Sequence, residues 1–323
     1  MILHICFLVR FFFLVALSAA FAVGQDNRVV MSFTVLDERG VFYRELAASD
    51  FQVRRGKSVL PIQSFISKTD SSLEILLLID ASISQERVIT DGKKVAEYFI
   101  DSVLRKEKDR VAVASFTGIV RLEKDMTGDF SNAKSQLRKI EVEIPTGYIG
   151  GTVVSPAPPI SSSSQAGVGS TSIWESIIKS IEAMAAIKST NTRKAIILIS
   201  DGVNTYGEAK LKGAVNASLR NRIPIFAVGI GDDFYGGVDK ETLKKLTEQT
   251  NGISIVPKKN LEDLPDLIKK IEQSLLFNYE LTFSHDTATD SESLQETKIE
   301  FVNPELKRRK LRIVQPKGYF LAK

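Results

Sequence analysis

The stretch Leu73-Glu74-Ile75-Leu76-Leu77-Leu78-Ile79-Asp80-Ala81-Ser82-Ile83-Ser84 passes from an almost unbroken apolar run into an aspartate and two alternating serines. A short apolar run rich in Ile and Leu is typical of a strand buried on both faces, as in a parallel sheet covered by helices. In open α/β sheets, ligands bind in the crevice outside the carboxyl ends of the strands. Asp80, Ser82 and Ser84 are therefore candidate ligands of a hard cation.

The composition is that of an ordinary globular protein. The chain has 323 residues, of which 43% are hydrophobic and 25% are charged. This length allows one large core and a smaller second domain. The formal net charge of +4 is too small to indicate nucleic acid or an anionic membrane as a partner.

Residues 1–24 have the pattern of a cleaved signal peptide. Arg10 precedes an apolar run that ends in small residues, with cleavage expected after Ala22 or Gly24. The alternative is an uncleaved membrane anchor. The apolar run after Arg10 has only about 13 residues, however, and a membrane span needs ~20. The only cysteine, Cys6, lies in this segment, so the mature chain would hold no disulfide. We predict a protein that its signal peptide exports to the periplasm, the cell envelope or the medium, with no membrane span after cleavage.

The remaining chain divides into three parts by its periodicity. Residues 25–68 alternate like short strands and predict a small β module. In residues 71–277, apolar strands alternate with amphipathic helices, which predicts a doubly wound, mainly parallel α/β sheet. Residues 278–323 return to strand character, and we expect them to pack with 25–68 into one sandwich. Residues 144–170, rich in Gly, Pro and Ser, form a long insertion.

Polar residues follow the predicted strands at one edge of the sheet. Asp80 ends the first α/β strand, Ser200-Asp201-Gly202 ends the strand near 195–199, and Thr171 opens a helix. Two carboxylates crowded at one edge repel and desolvate each other unless a cation lies between them. Oxygen donors without His or Cys select a hard ion, so Mg²⁺ fits best, with Mn²⁺ or Ca²⁺ as possible substitutes.

Each of these elements also has an ordinary structural explanation. Ser82 with Gln85, and Ser172 with Glu175, match the capping box that closes a helix start. Asp201-Gly202 is a common turn dipeptide. Any one of these explanations is sufficient alone, but together they leave the meeting of two aspartates at one edge unexplained.

The same residues resemble the metal-ion-dependent adhesion site (MIDAS) of von Willebrand factor A domains. The pattern consists of Asp-x-Ser-x-Ser from Asp80, Gly-x-Thr ending at Thr171, and Ser-Asp-Gly around Asp201. The resemblance covers about 73–277 and implies a six-stranded, Rossmann-like sheet with one antiparallel edge strand, for which residues 119–122 are the candidate. It implies five metal ligands: the hydroxyls of Ser82, Ser84 and Thr171, and the carboxylates of Asp80 and Asp201, direct or through water.

The flanking segments resemble the exported bacterial relatives of this family. They carry Val35-x-Asp37-x-x-Gly40, Ser49-Asp50-Phe51-x-Val53, Pro61-Ile62-x-Ser64-Phe65 and Lys317-Gly318-Tyr319-Phe320. One departure is the insertion at 144–170, which contains a second Gly-x-Thr, Gly150-Gly151-Thr152. We prefer Thr171 because an amphipathic helix follows it.

The function that the resemblance implies is metal-dependent protein binding or adhesion, without catalysis. The metal would capture an Asp or Glu side chain of a protein partner. One alternative is a Mg²⁺-dependent phosphate-ester hydrolase, which needs a second acid two residues after Asp80, where this chain has Ser82. A catalytic triad would depend on His285, which a solvent-facing strand position explains as well. The other alternative is an envelope scaffold in which the metal only staples the fold.

Two further patterns have simple explanations. Trp174 follows Thr171 and could flank the site, but an aromatic residue on a helix is expected in the core. The basic run 307–310 is expected on an edge strand, where charges deter aggregation. The resemblance also implies that the predicted helix at 261–276 moves when a ligand binds.

Overall fold

The computed structural model describes residues 28–144, 148–149, 152–153, 170–285 and 292–321. The predicted signal peptide, residues 1–24, lies outside the described residues, as do most of 144–170 and the side chain of Thr152. Among the described residues, no helix combines the length and the apolar character that crossing a membrane requires.

The N-terminal segment forms short strands that alternate buried and exposed side chains, as its period of two predicts. The strands are β1 (Arg28–Leu36), β2 (Phe51–Arg55), β3 (Ser58–Leu60) and β4 (Ile62–Lys68). Residues 41–43 belong to the alternating pattern but form no strand, because Phe42 makes only a single bridge with Leu36. Strand β3 was not predicted, since three residues are too few for a periodic signal.

The middle segment alternates strands and helices. In chain order its elements are β5 (Ser72–Asp80), α1 (Ile89–Val103), β6 (Arg110–Phe116), β7 (Val120–Thr127), α2 (Phe130–Arg138), β8 (Tyr148–Ile149), β9 (Thr152–Val153), α3 (Ile173–Ala186), β10 (Thr192–Ser200), α4 (Leu211–Asn221), β11 (Ile225–Gly229), α5 (Lys240–Gln249), β12 (Ser254–Ile255) and α6 (Leu264–Leu276).

Six of these eight strands form a sheet in the order β12-β11-β10-β5-β6-β7, and β8 pairs with β9 in a separate hairpin. All neighbours are parallel except β7, which pairs antiparallel with β6 and is the predicted edge strand near 119–122. The predicted fold class is therefore confirmed. After β5, the chain adds β6 and β7 on one side of β5 in the sheet, and then adds β10, β11 and β12 on its other side. The strand order therefore reverses between β5 and β10, which flank the topological switch point.

Strand β5 is buried on both faces, which explains its unbroken apolar sequence. On one face Leu77 and Ile79 pack with α1, α2 and α6, and on the other Leu76 and Leu78 pack with α3, α4 and α5. Each fully buried side chain of this kind contributes about 1.5–3 kcal/mol. Trp174 lies in the second of these clusters, as expected.

The C-terminal segment completes the sandwich that the flanks were expected to form. It contains β13 (Asn278–Ser284), β14 (Gln295–Glu296), β15 (Lys298–Phe301), α7 (Pro304–Arg308), β16 (Arg312–Val314) and β17 (Gly318–Tyr319). Strand β1 lies between β16 and β13 in the order β16-β1-β13-β4, and β15 joins β2 and β3 in a second sheet. The basic run 307–310 lies in α7 and the turn after it, so the edge-strand prediction is wrong; Asn303 caps α7.

Aromatic side chains fill the space between the two sheets of the sandwich. Phe33, Phe51, Phe65 and Tyr279 have ring centroids between 4.9 and 5.6 Å apart in neighbouring pairs. The Tyr279 hydroxyl satisfies its hydrogen-bonding need by donating to the Tyr43 carbonyl, 2.8 Å away. Residues from both flanks thus share one core, although the domain boundaries 25–68, 71–277 and 278–323 stay a prediction.

Candidate metal centre

Asp80 and Asp201 meet at the switch point of the six-stranded sheet. Asp80 is the last residue of β5 and Asp201 follows β10 directly. The pairing of Ile79 with Ile199 sets the two strand ends at the same level. Both carboxylates are almost fully buried, with 1% and 2% of their surface exposed.

A chain of hydrogen bonds joins the two carboxylates through Ser82 and Ser84. The Ser82 hydroxyl donates to Asp80 Oδ1 over 2.6 Å, and the Ser84 hydroxyl donates to Asp201 Oδ2 over 2.5 Å. The two serine oxygens are 3.2 Å apart. The structure therefore brings four of the five predicted ligands together.

The direction of these bonds matters for what the cluster can hold. Each serine hydroxyl has one hydrogen, and with both aspartates ionised, each hydrogen is used on a carboxylate. The 3.2 Å contact between Ser82 Oγ and Ser84 Oγ is then a hydrogen bond only if one of the two hydroxyls turns away from its carboxylate. This arrangement suits a cation, which accepts electron density from both oxygens. Ser84 is the one partly exposed residue of the four, so a ligand would approach from its side.

Two further side chains support the cluster, and the sequence did not predict either as a part of the site. Ser200 donates to Asp80 Oδ2 over 2.7 Å and accepts a hydrogen bond from the Gly202 backbone N–H. Gln85 donates to Asp201 Oδ2 over 3.0 Å. The signal for Ser200 was its place in Ser-Asp-Gly, whereas Gln85 had been explained as a capping residue.

Thr171, the fifth predicted ligand, does not share the hydrogen bonds of the cluster. Its carbonyl accepts from the N–H groups of Thr205 and Tyr206, which ties it to the loop after Asp201. Its own N–H donates to the Thr205 hydroxyl over 2.9 Å. Among the residues that the structure describes, no hydrogen bond joins the Thr171 hydroxyl to Asp80 or Asp201.

The capping explanations for the serines do not hold. Neither Ser82 nor Ser172 makes a side-chain cap hydrogen bond. Ser172 instead donates to the Thr117 carbonyl, and Glu175 accepts from the Ala209 N–H. The turn explanation for Asp201 does hold, because Asp201 Oδ1 accepts from the Val203 N–H and Gly202 has φ +85°.

Burial changes the acidity of both aspartates. Desolvation, together with the nearby charge of Asp201, raises the pKa of Asp80 to about 7, although hydrogen bonds from Ser82 and Ser200 oppose the shift. Desolvation also raises the pKa of Asp201, against hydrogen bonds from Ser84, Val203 and Gln85. Without a cation, the pair favours holding a proton near neutral pH.

The donor set fits a hard divalent cation. In the described part of the chain, neither Asp80 nor Asp201 has a Lys, Arg or His within ion-pairing distance, so their charge has no protein counter-ion. The same residues contain no group of three or more His, Cys, Asp or Glu side chains that could hold a metal. A metal here would therefore depend on two carboxylates and neutral hydroxyls, which suits Mg²⁺ better than a softer ion.

Comparison with known proteins supports the fold. Residues 159–270 match the von Willebrand factor type A domain family. Curated proteins gave no significant match.

Several solved structures are similar to the chain. The BatB protein of Bacteroides thetaiotaomicron is 18% identical, with 62% of this chain and 98% of that chain covered and a TM-score of 0.45. A von Willebrand factor type A protein from Catenulispora acidiphila is 11% identical, with 83% and 76% covered and a TM-score of 0.45. The mussel byssus proximal thread matrix protein 1 "with zinc occupied MIDAS motif" is 15% identical, with 69% and 50% covered and a TM-score of 0.49.

At TM-scores below 0.5, these resemblances transfer no function to the chain. The family match and the order of the six strands carry the conclusion. Residues 159–270 match this family, and the six-stranded sheet has the von Willebrand factor type A fold.

Proposed function

We propose that this protein is an exported, metal-dependent protein-binding or adhesion module that takes Mg²⁺ at Asp80, Ser82, Ser84, Thr171 and Asp201. The observation that carries the proposal is the pair of buried carboxylates without a counter-ion, joined through two serine hydroxyls. A buried pair of this kind costs stability unless a cation neutralises it.

The chain's own residues give the site its selectivity. Asp80 and Asp201 together carry two negative charges, which nearly neutralise a divalent ion and leave it able to accept one more carboxylate. When bound, the metal supplies a strong, directional contact to an Asp or Glu of the partner. The surrounding loops, including the insertion at 144–170, would set which partner is chosen. Oligomeric state plays no part in this proposal.

A hydrolase is the second candidate, and the geometry favours it less. An aspartyl-phosphate mechanism needs an acid two residues after the nucleophile to protonate the leaving group. Ser82 stands there, and its hydroxyl is fully buried and hydrogen-bonded to Asp80. Turnover of a generic phosphate ester that Asp80→Asn abolishes would restore this candidate.

Mg²⁺ should stabilise the folded protein. At about 100 times its Kd, a ligand that binds only the folded state raises the free energy of unfolding by about 2.7 kcal/mol. Thermal unfolding followed by circular dichroism, with Mg²⁺, Mn²⁺ and EDTA in parallel, measures this effect. A melting temperature that does not respond to any of the three removes the basis of the proposal.

Replacing Thr171→Ala should weaken both Mg²⁺ affinity and EDTA-sensitive capture of a protein from an envelope extract. We expect the loss of one neutral oxygen ligand to weaken Mg²⁺ binding by roughly tenfold. A tenfold change in affinity corresponds to the free energy that one hydrogen bond contributes. Calorimetric Mg²⁺ titration and pull-down with and without EDTA measure the two effects.

Thr152→Ala is the matched control, because Thr152 is the alternative ligand. If Thr171→Ala leaves Mg²⁺ affinity unchanged while Thr152→Ala lowers it, the assignment moves to Thr152. If Thr171→Ala lowers stability but not capture, the metal only staples the fold.

A further inference from the structure

A second polar cleft lies at the opposite end of the α/β sheet, between the sheet and the sandwich. Its volume is about 1050 Å³. One wall is the outer face of β1, β4 and β13, including Ser32, Lys68 and Glu280, and the other is the amino end of β5 and β10. Asp80 and Ser200 end the same two strands, so the cleft lies roughly 25 Å from the candidate metal centre at a rise of about 3.3 Å per residue.

The lining of the cleft carries more positive than negative charge. Its cations are Lys68, Arg193, Lys194, Arg220 and Arg222, and its acids are Asp70 and Glu280. Both acids are already paired: Glu280 lies 3.5 Å from Lys68, and Asp70 pairs with Arg105 and Lys108, which do not line the cleft. The other four cations have no carboxylate oxygen within 4.0 Å in the described part of the chain.

Arg193 lines the cleft, and the hydrogen bonds that the structure describes for it are both made by one guanidinium nitrogen, Nη1. Its Nη1 atom donates to the Leu275 carbonyl over 2.7 Å and to Asn278 Oδ1 over 3.1 Å. Its Nη2 atom is buried and has no hydrogen-bond partner among the described residues. Burial lowers the pKa of Arg193 to about 10, and the charge of Glu280 opposes the shift, so the guanidinium stays charged at neutral pH. A buried donor left without a partner is costly.

Two more arginines line the cleft: Arg220 in the last turn of α4, and Arg222 directly after that helix. Arg220 lies over the Phe320 ring at 3.7 Å and donates to the Glu292 carbonyl over 3.1 Å. Arg222 follows α4 with φ +53°, and its exposed side chain makes no hydrogen bond to the described residues. Their position at a helix C-terminus is favourable in itself, since it complements the helix dipole. That reason does not extend to Arg193, which comes from a strand.

We propose that this cleft binds a small anionic molecule that carries at least two carboxylate or phosphate groups. Guanidinium groups match the geometry of both oxyanions, and the cations come from separate elements, β10 and the end of α4. One anionic group of the ligand would bind Arg193 on β10, and another would bind Arg220 and Arg222 at the end of α4. The volume is that of an ordinary small-molecule site.

The test is calorimetric titration of the metal-free mature chain, in buffer from which EDTA has been removed by dialysis, with citrate, which carries carboxylates, and with pyrophosphate, which carries phosphates. Sodium chloride at equal ionic strength controls for screening of charges. We expect saturable binding of one or both probes. The Arg193→Gln and Arg222→Asn variants should each weaken it by about tenfold, the effect of one lost charge-assisted hydrogen bond. Asparagine tolerates the positive φ at position 222.

Two variants serve as controls. Lys139→Gln removes an exposed cation on the far side of α2, and Asp80→Asn alters the metal centre; both should leave citrate and pyrophosphate binding unchanged. If Arg193→Gln fails to fold, Arg222→Asn still decides. Binding that sodium chloride reproduces, or that Arg222→Asn leaves intact, overturns the proposal. The proposal is also overturned if an acidic peptide binds to the cleft while neither citrate nor pyrophosphate does.

Discussion

Replacing Asp80→Asn should abolish the stabilisation by Mg²⁺ and, in EDTA at pH 8, make the protein more stable than the wild type. The first effect removes about 2.7 kcal/mol at 100 times the Kd. The second follows from burial, which raises the pKa of Asp80 to about 7. A carboxyl whose folded-state pKa lies above its unfolded value makes stability fall as pH rises from about 4 to about 7. Above that window the folded protein carries the full cost of the buried charge.

Asparagine removes that charge but keeps the shape of the side chain. Removing the buried charge favours the folded state, whereas some hydrogen bonding from Ser82 and Ser200 is lost, so we expect a net gain of about 1–3 kcal/mol. Urea unfolding at pH 5 and pH 8, with EDTA or Mg²⁺, measures both effects. Asp125→Asn, an exposed aspartate on β7, should change neither. A variant that Mg²⁺ stabilises as strongly as the wild type would show that Asp80 is not a ligand.

Replacing Asp109→Ala should cost about 3–5 kcal/mol of stability, the largest loss we expect from a single polar substitution. The Asp109 side chain is fully buried. It accepts hydrogen bonds from the N–H groups of Leu73 and Arg105, and from Nε and Nη2 of Arg105, each over 2.8 Å. Alanine leaves the Leu73 N–H, at the start of β5, without its hydrogen-bond partner. It also removes the buried carboxylate that pairs with the partly buried Arg105 guanidinium.

The neighbouring Asp70 provides the matched control for this prediction. It pairs with the same Arg105, but 77% of its side chain is exposed. Surface pairs contribute little, so Asp70→Ala should cost less than about 1 kcal/mol. Urea unfolding of both variants makes the comparison, and the Mg²⁺ increment should survive in each, because Asp109 and Asp80 lie at opposite ends of the sheet. Equal losses for the two variants would contradict the expected role of burial.

Most of the α/β fold can be predicted from the sequence, because the patterns that determine its strands and helices are local. The apolar run from Leu73 to Ile79 can be satisfied only by burial on both faces, and the helix periods between strands then dictate a doubly wound sheet. The flanks were harder to predict at their short elements. Strand β3 has three residues, and the start of α7 at Asn303-Pro304 was hidden by the basic residues after it.

The candidate site was predictable in part for the same reason. Asp80 and Asp201 end buried strands, and parallel strands deliver their carboxyl ends to one edge. The partners of those carboxylates depend on register, and register between β5 and β10 spans more than a hundred residues of sequence. The roles of Ser200 and Gln85, and the separation of the Thr171 hydroxyl from the cluster, therefore emerge only in three dimensions.

The position of β1 between β16 and β13 has a consequence for how the molecule assembles. Its partner residues, such as Ser284 opposite Arg28, come late in the chain. During synthesis, β1 must wait with both edges unpaired until the whole α/β domain has been made. Closing so long a loop is entropically slow, so the α/β domain is expected to fold first and then bring the two flanks within reach of each other. An open strand edge during that wait favours misassociation, which a chaperone that holds the unfolded chain would prevent.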